Sequence, residues 1–151
     1  MSKKASYILA ALIVIVCLGI GVMALAGGGS NDSKDSYGAE CTYKTTQVDI
    51  YQYNIGSYTY TVTPSAGNTL IKVTGTLTNN QDKYTLSNNP YNFKLECNGL
   101  SYTVKADNYD SVDIAKGSSA TFDMCFEIPN SYSDGDLKWD GVWVKVHMVK
   151  N

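Results

Sequence analysis

From Tyr7 to Ala26 the chain runs for 20 residues without a charged side chain, and the first charge after Lys4 is Asp32. Such a segment has no polar face to turn towards water, so it does not fit the surface of a small globular domain. As an α-helix rising about 1.5 Å per residue it would span roughly 30 Å, the thickness of a bilayer's hydrocarbon. Of the first 26 residues 20 are apolar, whereas only 46 of the remaining 125 are. The chain therefore reads as two objects, an apolar N-terminal segment and one domain that buries one core.

Lys3 and Lys4 precede the apolar run, and everything after Ala26 carries 10 Lys against 14 Asp and Glu. The positive-inside bias places the N-terminus in the cytoplasm and residues from Gly27 onward outside it. Two readings of residues 1–26 compete. One is a retained single-pass membrane anchor; the other is a signal peptide cleaved after Ala26, because Ala24-Leu25-Ala26 has the small-x-small pattern of a cleavage site. The anchor is preferred, since the uncharged run is longer than the apolar region of about 7–15 residues usual in cleaved signals. The expected location is the cell membrane with the C-terminal domain extracytoplasmic, or the outside medium if the segment is removed. Cys17 follows Val14-Ile15-Val16 rather than the small residues of a lipid-attachment site, so it reads as a membrane-buried thiol. Residues 27–40 form a Gly/Ser-rich polar tether, and Asn31-Asp32-Ser33 within it is the chain's one N-x-S/T sequon.

The domain, residues 41–151, is patterned with period two. Ile71, Val73, Gly75 and Leu77 alternate with Lys72, Thr74, Thr76 and Thr78, which is the signature of a strand with one buried face. Phe122, Met124, Phe126 and Ile128 alternate with Thr121, Asp123, Cys125 and Glu127 in the same way. Val142, Val144, Val146 and Met148 do so against Trp143, Lys145, His147 and Val149. These are expected to be half-buried antiparallel strands. Asn98-Gly99 supplies the two positive-φ residues of a type I′ turn, and a hairpin built on it sets Cys97 opposite Leu100, Leu95 opposite Tyr102 and Phe93 opposite Val104. A slip of one residue would turn Lys94 and Glu96 inward, so turn and register agree. Further turns are expected at Pro64 to Asn68, Asn79 to Lys83, Asn88-Asn89-Pro90, Gly117-Ser118-Ser119 and Pro129 to Asp136. Short strands between regular turns, with 11 Tyr and 13 Thr after residue 26, give an all-β reading: an antiparallel β-sandwich of about seven strands behind one N-terminal transmembrane helix.

Gly56-Ser57-Tyr58 leads a strand, and Leu70-Ile71-Lys72-Val73 runs through to Thr78-Asn79-Asn80. Phe93-Lys94-Leu95 with Asn98-Gly99 and Tyr102 follows, and Gly117 then precedes a strand ending Phe126-Glu127-Ile128-Pro129. In that order, over roughly Cys41 to Val149, these motifs resemble the family called domain of unknown function 4352. The resemblance implies an exported prokaryotic domain with an immunoglobulin-like, telokin-like sandwich, tethered by a lipid or a helix. It brings no catalytic residues to transfer, and this chain lacks the lipid-attachment cysteine motif of the family's lipoprotein members.

A domain charge of −4 disfavours nucleic acid as a partner. The chain has no Walker loop, dinucleotide fingerprint or HExxH motif, and His147 is its single histidine, so a Ser-His-Asp arrangement would rest on that one residue. Cys41, Cys97 and Cys125 cannot all pair with one another, and strand parity sets Cys97 inward and Cys125 outward. At most one disulfide is expected, involving Cys41 or Cys125, and no pair has zinc-ligand spacing. Asp107, Asp110 and Asp113 form a weak candidate loop for a hard cation such as calcium, although their spacing is not that of an EF-hand; a solvated acidic loop joining two strands explains the same residues. Tyr51, Tyr53, Tyr58, Tyr60 and Trp143 are the candidate binding aromatics, either as a platform for sugar rings or a protein, or as rings that cover a sandwich edge. The reading that follows is a non-enzymatic, membrane-tethered extracytoplasmic module for binding, adhesion or assembly at the cell surface. It uses no cofactor, meets the membrane through its N-terminal helix, and takes a protein or glycan partner. The alternative is an envelope sensor element responsive to a small ligand or calcium.

Overall fold

The computed structural model describes residues 37–132, 134–141 and 143–151. The expected membrane segment at residues 1–26 with Cys17, and the tether as far as Ser36 with its Asn31 sequon, lie outside the described residues. Among the described residues no helix is long and apolar enough to cross a membrane. The compact unit runs from Tyr37 to Asn151 and is all-β, in several sheets, apart from one 3₁₀ turn at Pro90–Asn92.

Its strands in chain order are β1 (Ala39–Val48), β2 (Tyr51–Ile55), β3 (Tyr58–Val62), β4 (Asn68–Asn79), β5 (Leu86–Ser87) and β6 (Phe93–Cys97). Then come β7 (Leu100–Thr103), β8 (Ala106–Asp107), β9 (Asp113–Ile114), β10 (Ser119–Pro129), β11 (Asp136–Trp139) and β12 (Val146–Lys150). A five-stranded sheet has the order β12-β1-β4-β10-β8, and a three-stranded sheet the order β11-β6-β7. The pairs β2-β3 and β5-β9 stand as separate ribbons.

The period-two pattern places the core. On β4 and β10 the side chains of Ile71, Val73, Leu77, Phe122, Met124, Phe126 and Ile128 are buried, and they share one cluster with Phe93 and Leu95 of β6 and Leu137 of β11. One face of each of the two larger sheets thus contributes to the same core. Gly75 sits opposite Tyr43 on β1 and Phe122 on β10. A side chain there would run into the Thr42 carbonyl oxygen and the Phe122 ring, so glycine is what lets that ring lie across β4 and reach Phe93, 4.8 Å away between centroids.

The Asn98-Gly99 hairpin forms with the expected register: Cys97 pairs with Leu100 and Leu95 with Tyr102, over a turn whose φ angles are 49° and 78°. Strand β7 ends at Thr103, so the pairing stops one residue short of Val104. The strand expected at the C-terminus differs in direction, because β12 pairs with β1 in parallel, Ala39 opposite Val146 and Cys41 opposite Met148. Alternation alone is the same for either direction. Val142 is outside the described residues, while Val144, Val146 and Met148 pack against the core and Trp143, Lys145 and His147 face outward.

The outer face of the five-stranded sheet is not wholly wet. Leu70 and Cys125, which parity sets on the side away from the main core, are covered by Tyr51 of β2 and Ala106 of β8 in a second small cluster. No disulfide joins Cys41, Cys97 and Cys125; all three are free and buried. Burial pushes the Cys41 and Cys125 thiols up to about 12, Cys125 with a further push from Glu127 and Asp123.

Candidate binding site

Strands β2 and β3 form a ribbon around Gly56-Ser57, where Gly56 takes a φ of 60°. Tyr51 pairs with Val62, Tyr53 with Tyr60 and Ile55 with Tyr58, so the apolar side chains of both strands share one face, with Gln52, Asn54, Thr59 and Thr61 on the other. Burial falls steadily along that face. At its base Tyr51 is 3% exposed and packs on Leu70 and Cys125. In the middle the Tyr53 and Tyr60 rings stack at 5.4 Å and 22°. At the tip Ile55 is exposed and Tyr58 is 72% exposed.

The base is fixed by polar ties. Tyr51 donates its hydroxyl to the Asp123 carbonyl at 3.0 Å and to Asp123 Oδ1 at 2.9 Å, and burial with this partner pushes its phenol well above the ordinary range. Halfway along, Asn54 N donates to Asn108 Oδ1 at 3.0 Å, and Thr59 Oγ1 donates to Asn54 Oδ1 at 2.8 Å. These bonds set the ribbon beside the loop that follows β8.

Between them lies a cavity of about 390 Å³, walled by Tyr53, Asn54, Ile55 and Gly56 on one side and by Asp107, Asn108, Tyr109 and Asp110 on the other. The loop is held from behind by Asn88, a buried residue that accepts from Val112 N at 2.7 Å and donates to the Thr121 carbonyl at 3.0 Å. Tyr109 donates to the Asn88 carbonyl at 2.6 Å, and burial raises its phenol. Burial also raises the Asp107 carboxyl, so an approaching hydroxyl or cation would find a carboxylate whose charge is poorly hydrated.

The fold thus brings Tyr53, one of the alternating tyrosines, together with Asp107 and Asp110 of the acidic loop at one cavity, while Tyr60 and Tyr58 lie exposed farther along the same ribbon. It does not gather all of the residues singled out in the sequence. Tyr51 is an anchor rather than a contact surface, and Asp113, on β9, pairs with Ser87 of β5 and does not line the cavity. Trp143 lies in a different groove, with Tyr84 and Trp139. Among the described residues no group of three His, Cys, Asp or Glu side chains stands close enough to hold a metal ion. His147 is on the outward side of β12 with its ring 4.9 Å from that of Tyr37.

Two determinants of the site were not legible in the sequence. Asn88 reads as a turn residue, yet it is a buried clamp. Glu127 reads as a solvent-facing member of β10, yet its carboxylate receives Lys105 Nζ at 2.8 Å, Ser65 N at 2.7 Å and Asn68 Nδ2 at 3.1 Å, which ties down the turn between the ribbon and β4. The one available signal is its position, since Glu127 lies within the stretch of β10 that pairs with the first residues of β4.

No family model matches this chain, and no curated protein is similar enough to lend it a function.

Proposed function

We propose that this chain is a non-enzymatic, membrane-tethered extracytoplasmic binding module of immunoglobulin-like sandwich form, and that it engages its partner through the β2-β3 ribbon and the cavity beside it. The observation that carries this is the ribbon's apolar face, which runs out of the core into solvent, ends in the exposed side chains of Tyr60, Ile55 and Tyr58, and through Tyr53 and Ile55 lines a cavity shared with Asp107 and Asp110. Rings with flanking carboxylates and amides suit a partner that offers flat apolar surface edged with hydroxyls or amides, whether a glycan or a protein loop. The sandwich assignment is supported by the core shared between two sheets. The export assignment is supported by the uncharged run and the two lysines before it.

The test is a capture experiment. The full chain, embedded in lipid nanodiscs, is exposed to glycan and protein fractions of the cell envelope. A component retained by the wild type and lost with Tyr53→Ala/Tyr60→Ala and with Tyr58→Ser supports the reading. Equal retention by these variants, or retention of nothing above empty discs, overturns it. The sensor alternative is favoured by one observation, the raised Asp107 carboxyl facing a cavity, and is tested by calcium in the Discussion.

A further inference from the structure

The groove that holds Trp143 lies where the described chain begins. Gly38 accepts from Asn80 N at 2.9 Å, and Ala39 N donates to the Lys145 carbonyl at 3.2 Å. A Cβ placed on Gly38 would lie 3.1 Å from Val144 Cγ1 and 3.4 Å from Gln81 Cβ. Gln81 in turn fixes Tyr84, donating to its carbonyl at 2.6 Å and accepting from its amide at 3.1 Å. Three segments, 37–39, 80–84 and 143–146, therefore meet at one end of the domain.

That end is rich in a particular chemistry. Trp143 is 77% exposed, and Tyr37 and Tyr84 are also exposed. Trp143, Tyr84, Leu86 and Val144 line a groove of about 340 Å³. Each exposed tyrosine carries a lysine: Lys145 Nζ is 4.7 Å from the Tyr37 ring centroid and Lys83 Nζ 5.4 Å from that of Tyr84. Amphipathic aromatic rings beside lysines, with apolar side chains between them, are the composition of protein surface that sits at headgroup depth in a bilayer.

The chain's connectivity names the occupant. Only the ten residues Gly27 to Ser36 separate the apolar run from Tyr37, and fully extended they reach at most about 35 Å. An exposed tryptophan next to the point of entry is thus confined near the lipid surface from which the chain emerges. We infer that the Tyr37, Tyr84 and Trp143 end of the domain docks on the lipid bilayer, with Trp143 inserted among the headgroups. This rests on the reading of residues 1–26 as a retained anchor. Asp140 also borders the groove, so a zwitterionic surface suits it better than an anionic one.

The experiment uses the full chain reconstituted into phosphatidylcholine vesicles with and without brominated acyl chains. Trp139 and Trp143 are the only tryptophans, so the difference between wild type and Trp143→Ser reports on Trp143 alone. The expected result is that both proteins float with the vesicles, that the Trp143 emission is blue-shifted, and that brominated lipid quenches it more strongly than the Trp139 emission remaining in the variant, since Trp139 lies deeper in the same groove and is only partly exposed. Tyr84→Ser weakens the quenching without changing flotation. If the chain floats but Trp143 emits as a water-exposed ring and is not quenched, docking is wrong while the anchor stands. Trp143 protected by an added glycan or protein fraction, and not by lipid, would likewise overturn it in favour of a macromolecular occupant. If the chain does not float, the anchor reading fails and takes this inference with it.

Discussion

Glu127 offers a quantitative test of how the ribbon is held. Its side chain is 9% exposed, and Lys105, then Ser65 and Asn68, hold its carboxyl down to about 2 from an ordinary 4.5. At about 1.4 kcal/mol per pH unit this amounts to about 3 kcal/mol of preference for the ionised form. The Lys105 side chain is 46% exposed, so water screens part of the attraction, and about 2 kcal/mol is the contribution to expect in practice. Glu127→Gln keeps the shape and an oxygen for Ser65 N but removes the charge. Because the folded carboxyl lies below the unfolded one, its contribution is complete above about pH 5 and fades as pH falls through 4.5 towards 2. Urea unfolding of both proteins at a series of pH values reads this directly. The wild type should exceed the variant by about 2 kcal/mol at pH 7, and the two should converge near pH 2. Carboxylates common to both, such as Asp134 with Lys150, cancel in the difference. A gap that stays constant with pH would refute the ionic account and leave only a packing effect.

Gly75→Ala should destabilise the domain by about 3 kcal/mol or prevent folding, as read by thermal unfolding, because the new methyl meets the Thr42 backbone oxygen as well as the Phe122 ring. Cys41 and Cys125, with thiols pushed up to about 12, should resist alkylation at pH 8 in the folded protein and react fully in denaturant, as read by mass spectrometry of peptides. Tyr51→Phe removes the hydroxyl bonded to Asp123 and should cost about 1–2 kcal/mol, with faster amide exchange across residues 52–61 and unchanged exchange in β4 and β10. Millimolar calcium should leave the melting temperature where it is, and a rise would favour the sensor reading, since a cation bound to the folded state must stabilise it.

What the sequence carried and what it withheld divide along physical lines. The Asn98-Gly99 hairpin was legible because turn chemistry and strand parity act within a few residues, and both specify one register. The direction of β12 was not, because Val144, Val146 and Met148 alternate identically whether the partner strand is parallel or antiparallel. Parity placed Cys125 on the outer face correctly but says nothing about whether that face is covered. The cover is Tyr51, whose pattern is indistinguishable in sequence from that of Tyr53, Tyr58 and Tyr60. Which of four alternating tyrosines is core and which is surface depends on how far the ribbon extends past the sheet, and that is a property of the whole fold. Asn79 shows the same limit from the polar side. It reads as the start of a turn, but it is fully buried and donates to the carbonyls of Tyr84 and Ile114.

The graded burial of the ribbon separates its residues by role. A two-stranded ribbon is marginal by itself in water, so an exposed one keeps its shape only if something outside it supplies order. Here the order comes from the base and one side: Tyr51 packed on Leu70, Asn54 bonded to Asn108, and the Ser65 to Asn68 turn bonded to Glu127. None of these ties involves Ile55 or Tyr58, which make up the exposed end. The tip therefore gains a defined position without being buried, and its rings stay available. Substitutions at the base should change stability and binding together, whereas substitutions at the tip should change binding alone. A surface whose position is set by residues other than those that form it is what a recognition site needs, and it distinguishes this ribbon from an edge that merely lacks a neighbour.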